Sequence, residues 1–433
     1  MTYAADTDPR PPGRPRLYGW LHPAVLAAVA LSVASGFAQF GVFTALGDIA
    51  TAFGEGQDLT DGVGAQLGLS ATTLGLGLGL IRLAALGGLP VSAMADRYGR
   101  KAVLLTSAAV GLGVTALASL APTYWLFIAL FALGRPLLSA TNAVVGVIAA
   151  EETRAADRAK AMALITAAYG FGAGLPALVR AVAGDVLGFR GLFALCVVPL
   201  LAIPLLAKHI QEPDRFTRLQ RRVKRNRLGL GAVHPQYQGR LALICLLAMC
   251  GTFVTGPVNG YVFAYSENIL GVSPTFTFFV VLSAAPLGLV GLLVGRWAAD
   301  AWGRRPTCLA MHVAVGIAGI VTYSGGLPVA VGGYLAGLLA GSAYAPAIGA
   351  LTAEVFPTNE RATAAGWLTA SSAIGAVAGL FVFGFVADAT GAFTAAAVTV
   401  AVPIMATAVL YLRLPETRGM ELEDSAPDII EAV

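Results

Sequence analysis

Twelve stretches of apolar residues, each long enough to cross a lipid bilayer, restrict this chain to one kind of fold. They run 22–50, 70–95, 102–120, 124–150, 158–182 and 190–208, then 241–266, 274–299, 307–324, 328–354, 362–387 and 392–413. A helix rising ~1.5 Å per residue needs about 20 residues to span a ~30 Å hydrocarbon core. Composition agrees with that reading. Of 433 residues, 57% are hydrophobic and 12% are charged, about half the charged share of an ordinary soluble domain. Lipid, not water, must be the solvent for so much apolar surface. No segment shows the ten-residue alternation of a transmembrane barrel. The expected fold is therefore an all-α integral membrane protein with 12 transmembrane helices.

The placement of Lys and Arg orients these helices. With both termini in the cytoplasm, cytoplasmic segments carry 24 of the 28 cations, nine of them between Lys208 and Arg240. The outer loops hold Glu55, Asp58, Asp61, Asp185 and Asp388, against Arg190 and Arg180. This asymmetry is the positive-inside rule, and it explains the net charge of +4 without nucleic acid. The basic stretch Arg215–Arg227 is expected to rest near anionic lipid headgroups. Residues 1–21 are Pro-rich and read as a disordered cytoplasmic tail, residues 414–433 as an acidic one. The first apolar run is too long for the core of a signal peptide, so a multi-pass protein of the plasma membrane is expected. Cys196, Cys245, Cys250 and Cys308 lie scattered within helices and have no metal-ligand spacing. The glycine-rich Leu74–Leu80 has no strand before it, and reads as helix packing rather than nucleotide binding. No metal or cofactor is expected.

A charged turn is written twice. SAMADRYGRK (Ser92–Lys101) and RWAADAWGRR (Arg296–Arg305) place Asp96 and Asp300 204 residues apart, each followed by x-x-G-R-(K/R). A second pair, Glu151 with Arg158 and Glu354 with Arg361, keeps an offset of 203. Two signatures at one period imply two six-helix halves descended from one unit. The expected division is an N-terminal bundle over 22–208, a basic cytoplasmic linker over 209–240 and a C-terminal bundle over 241–413.

Together, the D-R-x-G-R-K turn, its partner in the second half and the doubled Glu/Arg loops resemble the major facilitator superfamily of secondary transporters. The resemblance runs from about residue 20 to 420, with Ser92 standing where the family usually has Gly. EVFPTNERA and LPETRGMELED are similar to its sugar-porter and metabolite-symporter branches. The resemblance and the spacing together imply a cytoplasmic gate. Asp96, Arg97, Arg100, Glu151 and Arg158 of the first half, with Asp300, Arg304, Arg305, Glu354 and Arg361 of the second, would form ion pairs linking helix ends across the halves. An exposed pair contributes only about 0–1 kcal/mol, a scale suited to a lock that breaks in every cycle.

Substrate contacts should come from polar groups at mid-depth, where they are expensive to place. Arg82 falls near the middle of helix 2 and Arg135 near the middle of helix 4, with no carboxylate at comparable depth. Two such cations point to an anionic substrate held through carboxylate or phosphate-like oxygens. Gln39, Asn142 and Asn259 are the next candidates, each equally compatible with a helix-packing hydrogen bond. The sugar ligands of the resembled branch are largely missing. Gln39, Thr166, Phe253, Val254 and Gly349 stand where acidic, amide or indole groups would be expected. Gln39 cannot titrate, so proton coupling would fall to Asp48, Glu267 or the substrate.

The expected protein is a monomeric secondary transporter of a small anionic or polar metabolite, working by alternating access and coupled to protons. A proton-driven exporter of drugs or metabolites and a solute-sensing membrane receptor are the alternatives. An enzyme is not expected, because no nucleophile–base or metal set is visible.

Overall fold

The computed structural model of the chain describes residues 19–54, 62–212, 233–357 and 360–420. Most of the Pro-rich tail, the basic stretch Arg215–Arg227, the acidic residues 55, 58 and 61 and the end of the acidic tail lie outside the described residues, as does the side chain of Asp96. Among the described residues there is no strand.

The membrane passages are α1 (Pro23–Thr44), α2 (Ala71–Ala93), α3 (Arg100–Ala118), α4 (Tyr124–Glu152), α5 (Ala155–Ala194), α6 (Val197–Ala207), α7 (Pro235–Ile269), α8 (Pro274–Ala301), α9 (Arg304–Thr322), α10 (Leu327–Glu354), α11 (Arg361–Thr390) and α12 (Phe393–Arg413). Eleven are long and apolar enough to cross a membrane; α6, with 11 residues, is not. The difference from twelve even helices lies at Gly188, whose φ of 56° and ψ of −172° break α5 into two. The sixth passage therefore begins at Phe189, turns at Leu195 and Cys196, and continues as α6. The first apolar run also divides. It breaks at Ala45, and Leu46–Gly54 forms a separate short helix that carries Asp48.

Both described ends of the chain lie on one side of the bundle, called here the base; the opposite side is the crown. Glycines set the closest helix contacts within each half. A Cβ on Gly36 or Gly172 would strike the backbone carbonyl of Tyr169 or Val33, so α1 and α5 touch backbone to backbone. Gly375 and Gly379 bring α11 equally close to the Met249 and Phe253 carbonyls of α7. Small-residue contacts of this kind replace the hydrophobic driving force that lipid does not supply.

The hydrogen bonds that join the halves gather at the crown. Asp388, near the end of α11, caps the start of α2, accepting from the backbone N–H of Ala71 at 2.9 Å and of Thr72 at 2.8 Å. The Thr72 hydroxyl donates to the same carboxylate at 2.6 Å. A carboxylate at a helix N-terminus satisfies orphan donors and opposes the positive end of the dipole. Tyr261 of α7 donates to the Ala71 carbonyl at 2.5 Å. Thr275 of α8 donates to Ala181 of α5 at 3.3 Å.

Gly375→Val is expected to lower the thermal midpoint of the purified protein, since overpacking of a close contact costs about 1–3 kcal/mol. Gly349→Ala, where an added Cβ meets nothing within 4 Å, should be neutral or raise it slightly. Equal midpoints for the two variants would refute the packing role.

Candidate functional site: a mid-depth cation pair beneath a crown latch

Arg82 has eleven residues of α2 on either side of it within the passage Ala71–Ala93. It sits just before a 3-10 turn at Ala85–Gly87. Pro90 lacks the N–H that would bond back into this turn, which explains the local tightening. The guanidinium lies 5.3 Å from the Phe43 ring centroid of α1, a cation–π contact. Arg135 of α4 lies beside it and donates through Nη1 to the Gln39 backbone carbonyl at 3.1 Å. The Nε atoms of both arginines are buried without a hydrogen-bond partner. Among the described residues neither guanidinium has a carboxylate partner.

Three α1 and α5 groups complete this cluster. Gln39 is buried, donating through Nε2 to the Ser35 hydroxyl at 2.7 Å and accepting from the Tyr169 phenol at 3.4 Å. Tyr169 lies within electrostatic reach of both arginines, and sequence reasoning missed it. A tyrosine inside an apolar helix gives no signal until its neighbours are known. Asn142 does not join the cluster. Its Oδ1 accepts from Ser32 at 3.0 Å, tying α4 to α1. Asn259 belongs to the other half, where its exposed side chain donates to the Thr255 carbonyl at 2.9 Å.

At the crown, Asp48 and Glu267 meet on a residue that the sequence reading placed among outer-loop cations. Arg180 lies inside α5 and is only 6% exposed. It donates to Asp48 at 2.9 and 2.8 Å, to Glu267 at 3.0 and 2.6 Å, and to the Thr44 carbonyl. One planar fork thus holds two carboxylates, Asp48 from its own half and Glu267 from the other. The bidentate geometry explains how so deeply buried a cation is tolerated. The apolar run ends two residues after Arg180, which made it look like a helix end.

At the base, several of the expected gate residues form ion pairs within each half. Arg100 pairs with Glu151 at 3.1 Å, joining α3 to α4. Arg304 pairs with Glu354 at 3.4 Å, joining α9 to α10, and with Asp300 at 3.0 Å. Each of these bonds links helix ends of one half, because α3 and α4, like α9 and α10, are bundle neighbours. Arg97 stacks over Tyr98 at 5.4 Å, Arg305 donates to the Leu412 carbonyl, and Arg361 donates to Phe356 at 3.3 Å. The Nε of Arg158 is buried without a hydrogen-bond partner.

A third repeated residue also escaped the sequence reading. Glu212 accepts from the backbone N–H of Arg100 at 2.6 Å and of Lys101 at 3.0 Å. Glu416 does the same for Arg304 at 2.9 Å and Arg305 at 3.2 Å. The two glutamates are 204 residues apart, like Gly99 and Gly303, whose φ values of 106° and 110° leave the carboxylates room to approach.

The model of the Major Facilitator Superfamily matches residues 26–322 and 241–428. The chain belongs to the Major Facilitator Superfamily. It is accordingly a membrane transporter and not an enzyme. It is 25% identical to a putative metabolite transport protein of Haemophilus influenzae, over 94% of this chain and 98% of that one. It is 27% identical to a probable 4-methylmuconolactone transporter of Cupriavidus pinatubonensis, over 82% and 85% of the two chains. A gentisate transporter of Corynebacterium glutamicum is also 27% identical, over 71% of each. The fold matches a crystal structure of a D-xylose-proton symporter with a TM-score of 0.70 and 19% identity, covering 92% of this chain and 98% of that one. The superfamily fold accounts for the two six-helix bundles and for a crown joined through α2–α11 and α5–α8.

Arg180→Gln is expected to strand two carboxylates at the crown and destabilise the crown-closed form by about 3–5 kcal/mol. A cysteine placed at Thr275 should then react faster with a membrane-impermeant reagent. Adding Asp48→Asn and Glu267→Gln should restore much of the lost thermal stability, and no recovery would contradict the latch.

Proposed function

We propose that this superfamily member carries a small organic anion across the plasma membrane by alternating access. The observation that carries the reading is the pair Arg82 and Arg135, half-buried at mid-depth with both Nε atoms buried and facing no carboxylate among the described residues. Charge of one sign at that depth is expensive, and a bound carboxylate would neutralise it through charge-assisted hydrogen bonds. Tyr169 and Gln39 add a phenol and an amide to the same site. The similarity to a gentisate transporter supports an organic acid rather than a sugar.

The positive-inside asymmetry of the sequence supports a base in the cytoplasm together with both termini. In this reading the solute site is reached from the cytoplasm while the Arg180 latch shuts the outer face. Arg100–Glu151 and Arg304–Glu354, with the Glu212 and Glu416 caps, stiffen the base of each half, so that each half moves as a body. The other charged residues at the base, Asp96, Arg97, Arg158, Asp300, Arg305 and Arg361, would take part when the two bases come together. The latch holds one cation and two carboxylates, so Asp48 or Glu267 is the natural place for a coupled proton. The transporter would act as a monomer.

Arg82→Gln should weaken binding of an organic carboxylate roughly 10- to 150-fold in calorimetry, since a charged hydrogen bond contributes about 1.5–3 kcal/mol. Arg82→Lys should recover part of the loss, keeping the charge but not the fork. Wild-type affinity in both Arg82→Gln and Arg135→Gln would end the proposal.

A further inference from the structure

The C-terminal half holds a half-open cavity of about 470 Å³ at mid-depth between α7, α8 and α10, with α9 behind it. Among the described residues no charged side chain lines it. Protein interiors pack to crystal-like density, and an apolar cavity of roughly 150 Å³ is already enough to admit benzene. Glycines help to keep this volume empty. An added Cβ on Gly288 would lie 3.4 Å from the Ser342 hydroxyl, and one on Gly337 would lie 3.3 Å from Ala318. At Gly341, in the middle of α10, an added Cβ meets nothing within 4 Å. The helix has room for a side chain there and carries none.

One edge of the cavity is polar. Asn259 uses its amide N–H on the Thr255 carbonyl, which leaves its amide oxygen without a partner among the described residues. Tyr334 and Ser342 line the same cavity, and their hydroxyls have no protein hydrogen bond among the described residues. The lining therefore offers an apolar chamber with a few hydroxyl and amide groups to orient its contents, the usual composition of a small-molecule site. The arginine pair lies in the opposite half at similar depth. The helices that carry Gln39 and Asn259, α1 and α7, are neighbours across the halves.

We infer that this cavity receives the ring of a cyclic carboxylate whose acid group lies on Arg82 and Arg135. The ring's hydroxyl or carbonyl substituent meets Asn259, Tyr334 and Ser342. The inference rests on the anion reading above and divides recognition between the halves, charge in the first and shape in the second. A solute with both parts bridges the two bodies that move against each other. A carboxylate without a ring reaches only one of them.

The test compares two probes, 3-hydroxybenzoate and propionate, titrated into the full-length protein in nanodiscs. Wild type should bind 3-hydroxybenzoate more tightly by roughly ten- to a hundredfold, the scale of burying an aromatic ring. Gly341→Leu fills the chamber from a position with open space and replaces a poor helix former with a good one. It should remove most of that preference while leaving propionate binding unchanged. Gly341→Met, a more flexible plug, serves if the leucine variant aggregates. Arg82→Gln should weaken both probes together. The ring site is overturned if wild type shows no preference for 3-hydroxybenzoate, or if the filled variants leave its affinity intact or weaken both probes alike. A selective Gly341 effect with no Arg82 effect would instead overturn the anion reading and leave the ring chamber standing.

Discussion

Arg180 is the residue on which the arrangement of the two halves most depends. It is buried at the crown and engages a carboxylate from each half, so separating the crown requires either breaking a buried bidentate pair or changing its charge. Removing one partner of such a pair is strongly destabilising because the other is left unpaired away from water. Asp388 on the start of α2 and Tyr261 on the Ala71 carbonyl reinforce the same closure with neutral and dipolar contacts. The latch also holds one negative charge more than its single cation balances.

The base follows a different rule. Its ion pairs and carboxylate caps recur at the period of the internal repeat, and they hold together the helices of each half. The crown contacts, by contrast, are unlike one another: an Arg–Glu pair on the α5 side and a helix cap on the α2 side. Repeated chemistry stiffens the bodies, and unrepeated chemistry joins them. This division suits a carrier that must rock as two rigid units.

Much of this was legible in the chain. Apolar length fixed the passages, and the break at Gly188 falls in the gap between the fifth and sixth runs; Ala45 alone breaks a run whose composition shows no break. The doubled charged turn revealed the two halves, because its spacing is carried by several residues at once. Glu212 and Glu416 obey the same period but stand in unlike surroundings, QEPDRF and PETRGM, and a single matched glutamate is invisible without its backbone partners. Arg82 and Arg135 could be located because charge inside an apolar helix is conspicuous. Tyr169 could not, and the pairing of Arg100 with Glu151 and of Arg304 with Glu354 inside each half was not legible, because sequence spacing does not say which helix ends are neighbours.

The central claim is that the solute is an organic anion moved between the two faces. Counterflow in proteoliposomes tests it most directly: vesicles loaded with unlabelled 3-hydroxybenzoate are diluted into a trace of the labelled compound. The account predicts transient accumulation of label that needs the protein, is inhibited by other carboxylates and is lost in Arg82→Gln. Accumulation of organic cations or neutral sugars with no exchange of carboxylates would contradict it.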